Sequence, residues 1–484
     1  MTEKKQAAWY DDLQVRISGW LERWRERVKS SRAKDLFLLS LPYQVAAVLT
    51  ALIAVGFAQL FHLVEQLNRW MLGLHPYVVF ISAPVGFMLS WWLVRRFAPM
   101  AAGSGIPQLS AAIEVANDRA SDRSWRFLNV RIILVKIASS LAMVLGGGAV
   151  GREGPTIQIA GSVYRTVHRI LPPFWPKVSR RVMLITGGAA GLSAAFNTPL
   201  GGIVFAVEEL TRTHIAQFRT AVLTAVIISG MSAQWLLGPY LFLGYPKLEP
   251  VGFSFMYKVL AIALLAGAGG AIFCRGLLVL DKFKRSLSSD RAQVLYTIGA
   301  AVVFSLIFLV AGDRALGSGK TLLESYLFDP EMHSSTMDVL TRFFAPLVSF
   351  SVGGSGGIFA PALTTGATIG GLIAQLFDPS RGEFNVLVLA GMVAFLTGVT
   401  RSPFTSAILV LEMTDRHSAI FQLMYAASFG YVAAFAFDRK SYYEHMKERL
   451  LRNLQKEDAQ ATANAPRTTA SPSNTSTNTD RQAP

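Results

Sequence analysis

The feature that most constrains this chain is a run of apolar sequence broken from within. Leu141–Val150 (LAMVLGGGAV) leads into Gly151-Arg-Glu-Gly-Pro155, and Thr156-Ile-Gln-Ile-Ala160 follows. A carboxylate at membrane depth costs about 2.5–3.5 kcal/mol even on insertion scales, so Glu153 marks a functional position rather than a neutral one. The flanking glycines and proline interrupt any continuous helix and release backbone N–H groups. Pro155 suits the first turn of a new helix. A helix start offers unpaired N–H donors and the positive end of the dipole, which attract an anion. One short stretch thus combines an anion-attracting helix start with a titratable carboxylate.

That reading requires a membrane, and composition supplies it. Of 484 residues, 52% are hydrophobic and only 16% charged, with mean hydropathy +0.38. A soluble domain carries about 25% charged residues. Val45–Leu60, Tyr77–Leu93, Val259–Cys274 and Val294–Val310 approach, or with their flanks reach, the roughly 20 residues of a spanning helix. The expected fold is an all-α polytopic membrane protein. The net charge of +15 collects at the ends and in a few loops. That pattern fits the positive-inside rule and places both termini in the cytoplasm. It does not form the continuous basic patch with interleaved aromatics that nucleic acid demands, so no nucleic-acid partner is expected. Cys274 is the single cysteine and the seven histidines show no ligand spacing, which argues against a metal set. Gly317-Ser-Gly-Lys-Thr321 looks like the end of a phosphate-binding loop. Position 314 is Arg where the pattern needs Gly, and no buried strand precedes it, so no nucleotide site is read there. No cofactor and no enzymatic activity is expected.

Along the chain, residues 1–35 hold nine Lys/Arg, with Trp9, Leu13, Ile17, Trp20, Leu21, Trp24 and Val28 at helical spacing. They read as a basic amphipathic cytoplasmic helix, lying either on the membrane surface or on the protein's own cytoplasmic face. The first apolar run begins near residue 36, after this charged segment, unlike a secretory leader. Residues 36–450 form the membrane domain. Residues 451–484 read as a disordered cytoplasmic tail, since from Asp458 onward Ala, Thr, Ser, Asn and Pro cannot build a core. Lys136 stands inside Ile132–Val150 and needs a partner or a water-filled cavity. Gly/Pro breaks occur at Gly103–Pro107 and Gly151–Pro155 in one half, and at Gly353–Pro361 and Arg401–Pro403 in the other. Interrupted segments in corresponding positions of two halves point to an inverted repeat with an ion site where the repeats meet.

With these residues in hand, a family resemblance emerges. Gly103-Ser-Gly-Ile-Pro107, Gly151-Arg-Glu-Gly-Pro155 and Gly356-Gly-Ile-Phe-Ala-Pro361 resemble, in order, the three selectivity-filter motifs of the CLC chloride channels and transporters. The likeness runs from about residue 36 to about residue 450 and includes Ala190–Glu209 and Arg401–Asp415. It implies a CLC-type fold with broken re-entrant helices, and a homodimer in which each subunit has its own anion pathway. The implied selectivity filter is Gly103, Ser104, Gly105, Ile106 and Pro107 with Gly151, Arg152, Glu153, Gly154 and Pro155. Gly356, Gly357, Ile358, Phe359, Ala360 and Pro361 complete it. The implied anion contacts are the hydroxyls of Ser104 and Tyr443 and the backbone N–H groups of Ile358 and Phe359. Glu153 matches the external gating glutamate, Glu209 the internal proton-transfer glutamate, and Lys136 a buried lysine near the proton route. Gln108 departs from the family, where many relatives carry Glu, so a carboxylate that would balance Lys136 is missing there.

The implied function is secondary active exchange of chloride for protons across a cell inner membrane or plasma membrane, with membrane lipid as surroundings. The alternative is a passive chloride channel of the same fold. Glu209 discriminates, since a channel is expected to carry a non-titratable residue there. Fluoride or nitrate preference is a narrower alternative, and in family terms Ser104 argues for chloride. Physics agrees with the implied site: a conducting anion must bind weakly enough to leave. Hydroxyls and N–H groups suit that need better than a bare cation. Arg152 is therefore expected to point away and pair elsewhere, or to shape the outer vestibule. Glu208 reads as a structural or cytoplasm-facing carboxylate.

Overall fold

Broken helices of unequal length, set out twice in the same order, build this protein. The computed structural model describes residues 32–117, 122–211, 219–238 and 241–463. The amphipathic reading of residues 1–31 and the tail beyond 463 lie outside the described residues. Among those described, 81% are helical, no strand forms, and nine helices are long and apolar enough to cross a membrane.

The first series comprises α1 (Arg32–Leu74), α2 (Val79–Phe97), α3 (Ile106–Val115), α4 (Val130–Leu145), α5 (Glu153–Ile170), α6 (Arg180–Phe196), α7 (Pro199–Phe205) and α8 (Arg219–Leu237). The second comprises α9 (Met256–Ser286), α10 (Asp290–Ala311), α11 (Lys320–Phe328), α12 (Thr336–Ser351), α13 (Phe359–Ala374), α14 (Arg381–Thr400), α15 (Pro403–Thr414) and α16 (Ile420–Phe437). A final helix, α17 (Tyr442–Ala463), follows both and runs past the expected boundary at residue 450. Each series opens on its longest helix, of 43 and 31 residues. At 1.5 Å per residue these reach about 65 and 45 Å, far more than a bilayer core, so each tilts within it or extends beyond it. In each series the third helix, of 10 and 9 residues, is too short to span. Such half-helices are tolerated at membrane depth only when buried in protein or lining a cavity.

This order corrects the pairing of breaks read from sequence. Gly151–Pro155 opens α5 and corresponds to Gly353–Pro361, which opens α13. Gly103–Pro107 opens α3, and its counterpart is Gly317–Thr321 at the start of α11. The segment with the look of a phosphate loop is therefore a repeat-related helix break. Its glycines have positive φ, +50° at Gly317 and +81° at Gly319, as do Gly103 at +64° and Gly105 at +103°. Arg401–Pro403 pairs with Asn197–Pro199, and Asn197 and Arg401 share left-handed φ values of 57° and 61°. Each helix that follows starts on a proline, Pro199 and Pro403.

The most deeply buried part of the core lies within the second series. Helix α14 is enclosed by α9, α13 and α16 and is buried almost throughout, without a polar face. Apolar residues at 0% exposure, such as Leu387, Val388, Leu389 and Leu396, fill it. Close backbone approach is arranged by glycine: a methyl on Gly366 would overlap the carbonyl of Gly391, and one on Gly391 the carbonyl of Gly366. This is the small-residue packing by which helices associate when lipid provides no hydrophobic driving force.

Candidate functional site

The three glycine-rich breaks named from sequence come together in space. Gly103 N–H donates to Gly354 O (2.7 Å), and Gly356 N–H donates to Gly103 O (3.2 Å). Gly151 and Gly357 exchange a reciprocal pair at 2.8 and 2.7 Å. These four bonds lace the loops before α3, α5 and α13 into one unit. The approach is close enough that a methyl on Gly154 would overlap the Ser104 hydroxyl. Here glycine is required because a side chain would push two loops apart.

Around that junction, the expected anion ligands gather. Ser104 and Tyr443 are buried, at 3% and 1% exposure, and their hydroxyls lie within interaction range of each other. Neither hydroxyl completes a hydrogen bond to a described protein atom. A buried, unpaired polar group costs about 1–3 kcal/mol, so a pair of them sharing one space is a site with donors to offer. Tyr443 is the second residue of α17 and stacks on Phe359, with centroids 6.1 Å apart and planes at 15°. Ile358 and Phe359 are both buried at the start of α13.

The loop carrying Ser104 is held from behind. Lys136 Nζ is fully buried and donates to Gly103 O (2.7 Å) and Ala101 O (3.0 Å). Gln108 Nε2 donates to Ala102 O (2.8 Å), and Ser355 Oγ to Ala101 O (2.5 Å). Lys136 makes no ion pair with a described carboxylate. Its partner is the backbone, which answers the question that the missing carboxylate at position 108 raised. Ammonium donors on carbonyls orient that loop and leave its hydroxyl facing the other way.

Glu153 begins α5 and is buried at 1% exposure. Its carboxylate folds back over Gly151 onto the helix start, within electrostatic range of the N–H groups of Arg152 and Glu153. Oε2 has no hydrogen-bond partner among the described residues. A carboxylate thus occupies the position where a helix N-terminus would hold a free anion. Beyond it opens a cavity of about 260 Å³, lined by Glu153, Arg152, His62, Glu65, Ser318 and Lys320 among others. Arg152 lines this mouth and makes no ion pair or side-chain hydrogen bond with a described residue. Of the two expectations for it, vestibule lining is what the structure displays, and pairing elsewhere is not. Sequence reading overlooked Glu65 and Lys320. The signal for Glu65 was available, a carboxylate inside the apolar span Leu38–Leu74.

The remaining carboxylates separate by internal symmetry. Glu208 accepts from Phe404 N–H (3.1 Å) and Thr405 N–H (2.7 Å), capping α15. Glu412 accepts from Leu200 N–H (3.0 Å) and Gly201 N–H (2.8 Å), capping α7. Each lies at the same distance along the chain from its proline, Pro199 or Pro403, so the two caps are reciprocal and repeat-related. Glu208 therefore has the structural role expected of it. Glu209 corresponds to Met413 and has no counterpart. It accepts a hydrogen bond from Ser402 Oγ (2.8 Å) and lies within electrostatic range of Tyr443. Glu153 likewise corresponds to Phe359. The two candidate proton carriers are carboxylates that the repeat does not require.

Comparison with known proteins now bears on this geometry. The family model described as voltage gated chloride channel matches residues 86–434. This protein belongs to the CLC family. A CLC relative, the H(+)/Cl(-) exchange transporter ClcA of Salmonella typhimurium strain LT2, is 31% identical over 470 residues, covering 92% of this chain and 96% of the relative. The ClcA of Salmonella typhi matches at the same 31% over 470 residues, with the same coverage. Among solved CLC structures, a slow cyanobacterial Cl−/H+ antiporter superposes with a TM-score of 0.75 at 24% identity, over 86% of this chain and 98% of that one. A CLC-type fluoride/proton antiporter gives 0.69 at 19% identity, over 86% of this chain and 98% of that one. At those identities the structures speak for the CLC fold alone.

Proposed function

We propose that this protein exchanges chloride for protons across a cell membrane as a secondary active transporter. The observation that carries this reading is the pair Glu153 and Glu209. They are two carboxylates at the site that the repeat does not account for, in a chain 31% identical over nearly its whole length to transporters named for H(+)/Cl(-) exchange.

The reading assigns roles as follows. Chloride passes over a surface of partial charges: the Ser104 and Tyr443 hydroxyls and the N–H groups of Ile358 and Phe359. Partial charges bind weakly enough to release the ion. Ionised Glu153 is itself an anion and holds the N–H groups at the start of α5. Once protonated it loses that attraction and yields the place to chloride. Proton uptake and chloride entry at that position are thereby one event. Glu209, near Tyr443 and hydrogen-bonded to Ser402, passes the proton toward the other side. The transporting domain runs from about residue 36 through the end of α17, past the boundary at residue 450 expected from sequence, in a homodimer surrounded by lipid. The protein is a multi-pass membrane protein, and we place both termini in the cytoplasm, so that the mouth beyond Glu153 faces outward. No nucleic acid, cofactor or catalysed covalent step enters this account.

The passive channel is disfavoured by Glu209, and fluoride preference, in family terms, by Ser104. Liposomes carrying the purified protein, with chloride and pH recorded together, test the reading. An imposed chloride gradient should drive protons uphill. Chloride flux without proton movement would replace exchange by conduction.

A further inference from the structure

The loop Gly317-Ser-Gly319 repeats the construction of the loop that carries Ser104. Both are Gly-Ser-Gly with positive φ at each glycine, and both open a short helix. Each is clamped from behind by a buried cation. Lys136 holds Ala101 and Gly103 carbonyls, and Arg342 donates to the carbonyls of Leu316 (3.2 Å) and Gly317 (3.2 Å). Lys136 and Arg342 stand at the same place in helices of equal length, α4 and α12, each of 16 residues. The second loop therefore presents its N–H groups away from a buried guanidinium, as the first does from a buried ammonium.

What faces the second loop is different. The Glu65 carboxylate engages the Ser318 N–H and lies so close over Gly317 that a methyl there would overlap it. Around it stand Arg152, Lys320, His62 and Glu153 in the same cavity. Arg69 lies within electrostatic range of Glu65 and 3.8 Å from Asp313, and Arg342 reaches Glu65 from behind the loop. Lys320 Nζ sits 4.7 Å from the Phe242 ring and 3.4 Å from Glu324. The guanidinium of Arg152 has no hydrogen-bonded partner among the described residues. Glu153 Oε2, buried and unpaired, faces the same cavity.

We propose that this mouth is a second anion-binding site, which loads a small monovalent anion such as chloride onto Ser318 N–H between Arg152 and Lys320. Glu65 is its tethered competitor. The site deepens the exchange reading and rests on it: an ion held here lies next to Glu153 and enters when that carboxylate withdraws. Glu65 occupies the donors in the ion's absence, which keeps affinity low enough for the ion to move on. Because both anions seek the same N–H, their binding is linked, and removing the charge at position 65 favours the free ion.

The test uses the full chain in planar bilayers, with chloride titrated on each face separately. Glu65→Gln should lower the half-saturating chloride on the face beyond Glu153 by about fivefold, the smaller end of ordinary site coupling. Lys320→Gln should raise it, and neither should move the value on the opposite face. Bromide-soaked crystals of Glu65→Gln should show anomalous density at the Ser318 N–H, stronger than in the wild type. Should Glu65→Gln fail to fold, the Lys320→Gln titration and wild-type bromide density decide. Unchanged half-saturation in every variant that folds, equal shifts on both faces, or absence of bromide at Ser318 would overturn the proposal. Failure of the exchange reading is distinct, since it would appear as uncoupled flux in the wild type itself.

Discussion

In the proposed exchange, a few side chains decide what can pass. In that exchange, Glu153 when ionised is an anion attached to the pathway, its carboxylate folded back on the start of α5. Replacing it by Gln keeps the shape and removes the charge. Chloride flux should persist and lose its pH dependence, while proton movement stops; chloride-driven proton pumping by Glu153→Gln in liposomes would contradict the assignment. At the central junction, the Ser104 and Tyr443 hydroxyls are donors without protein acceptors. A hydrogen bond to a charged partner contributes about 1.5–3 kcal/mol, so Tyr443→Ala should weaken chloride binding roughly ten- to hundredfold. Isothermal titration calorimetry reads this directly, and equal affinity in the variant and the wild type would remove Tyr443 from the site.

At the scale of elements, the paired short helices α7 and α15 show how much a repeat can specify. Glu412 of α15 caps α7, and Glu208, in the π-helical turn Ala206–Leu210 that continues α7, caps α15. Loss of a cap costs about 0.5–2 kcal/mol. Glu412→Ala and Glu208→Ala should therefore lower thermal stability by similar amounts, measured by denaturation in detergent. A loss confined to one variant would show that the caps are not equivalent. The sequence made these helices visible through their prolines, and it revealed three glycine-rich breaks that meet in space, the apolar spans and the candidate carboxylates. It did not reveal which breaks correspond. Gly317-Ser-Gly-Lys-Thr321 has the composition of a phosphate loop, and only the order of helices identifies it as the partner of Gly103–Pro107. By pattern alone Lys136 demands a counter-charge, because one-dimensional pattern does not show a loop of carbonyls folding over an ammonium. Glu65 went unnoticed for a related reason: it belongs to no break, and its meaning comes from a loop some 250 positions away in the chain.

For the whole molecule, an inverted repeat supplies a nearly symmetric scaffold, and the residues proposed to carry transport fall where the halves differ. Phe359 stands opposite Glu153 and Met413 opposite Glu209, while Tyr443 belongs to α17, outside both series. Helix α17 is fastened by Arg449 to Asp281 of α9 and by Lys447 to Glu114 of α3 at 3.1 Å, so its first turn reaches the junction from a fixed position. A symmetric scaffold with only an anion path would conduct chloride along its own gradient. In the proposed exchange, carboxylates at both ends link chloride passage to proton movement, and the linkage must appear in the electrical balance. A tenfold proton gradient stores about 1.4 kcal/mol, while moving one charge through 100 mV involves about 2.3 kcal/mol. A coupled protein therefore shifts its zero-current voltage by tens of millivolts when a pH difference is imposed at fixed chloride. That shift is expected for the wild type. It should vanish in Glu209→Gln, where chloride still crosses over Ser104 and Tyr443 but the proton has no acceptor beyond Glu153. Bilayer recordings at symmetric chloride and asymmetric pH measure it. A wild-type zero-current voltage that follows chloride alone, at every pH difference, would mean that Glu209 serves only its hydrogen bond to Ser402 and that the protein is a channel.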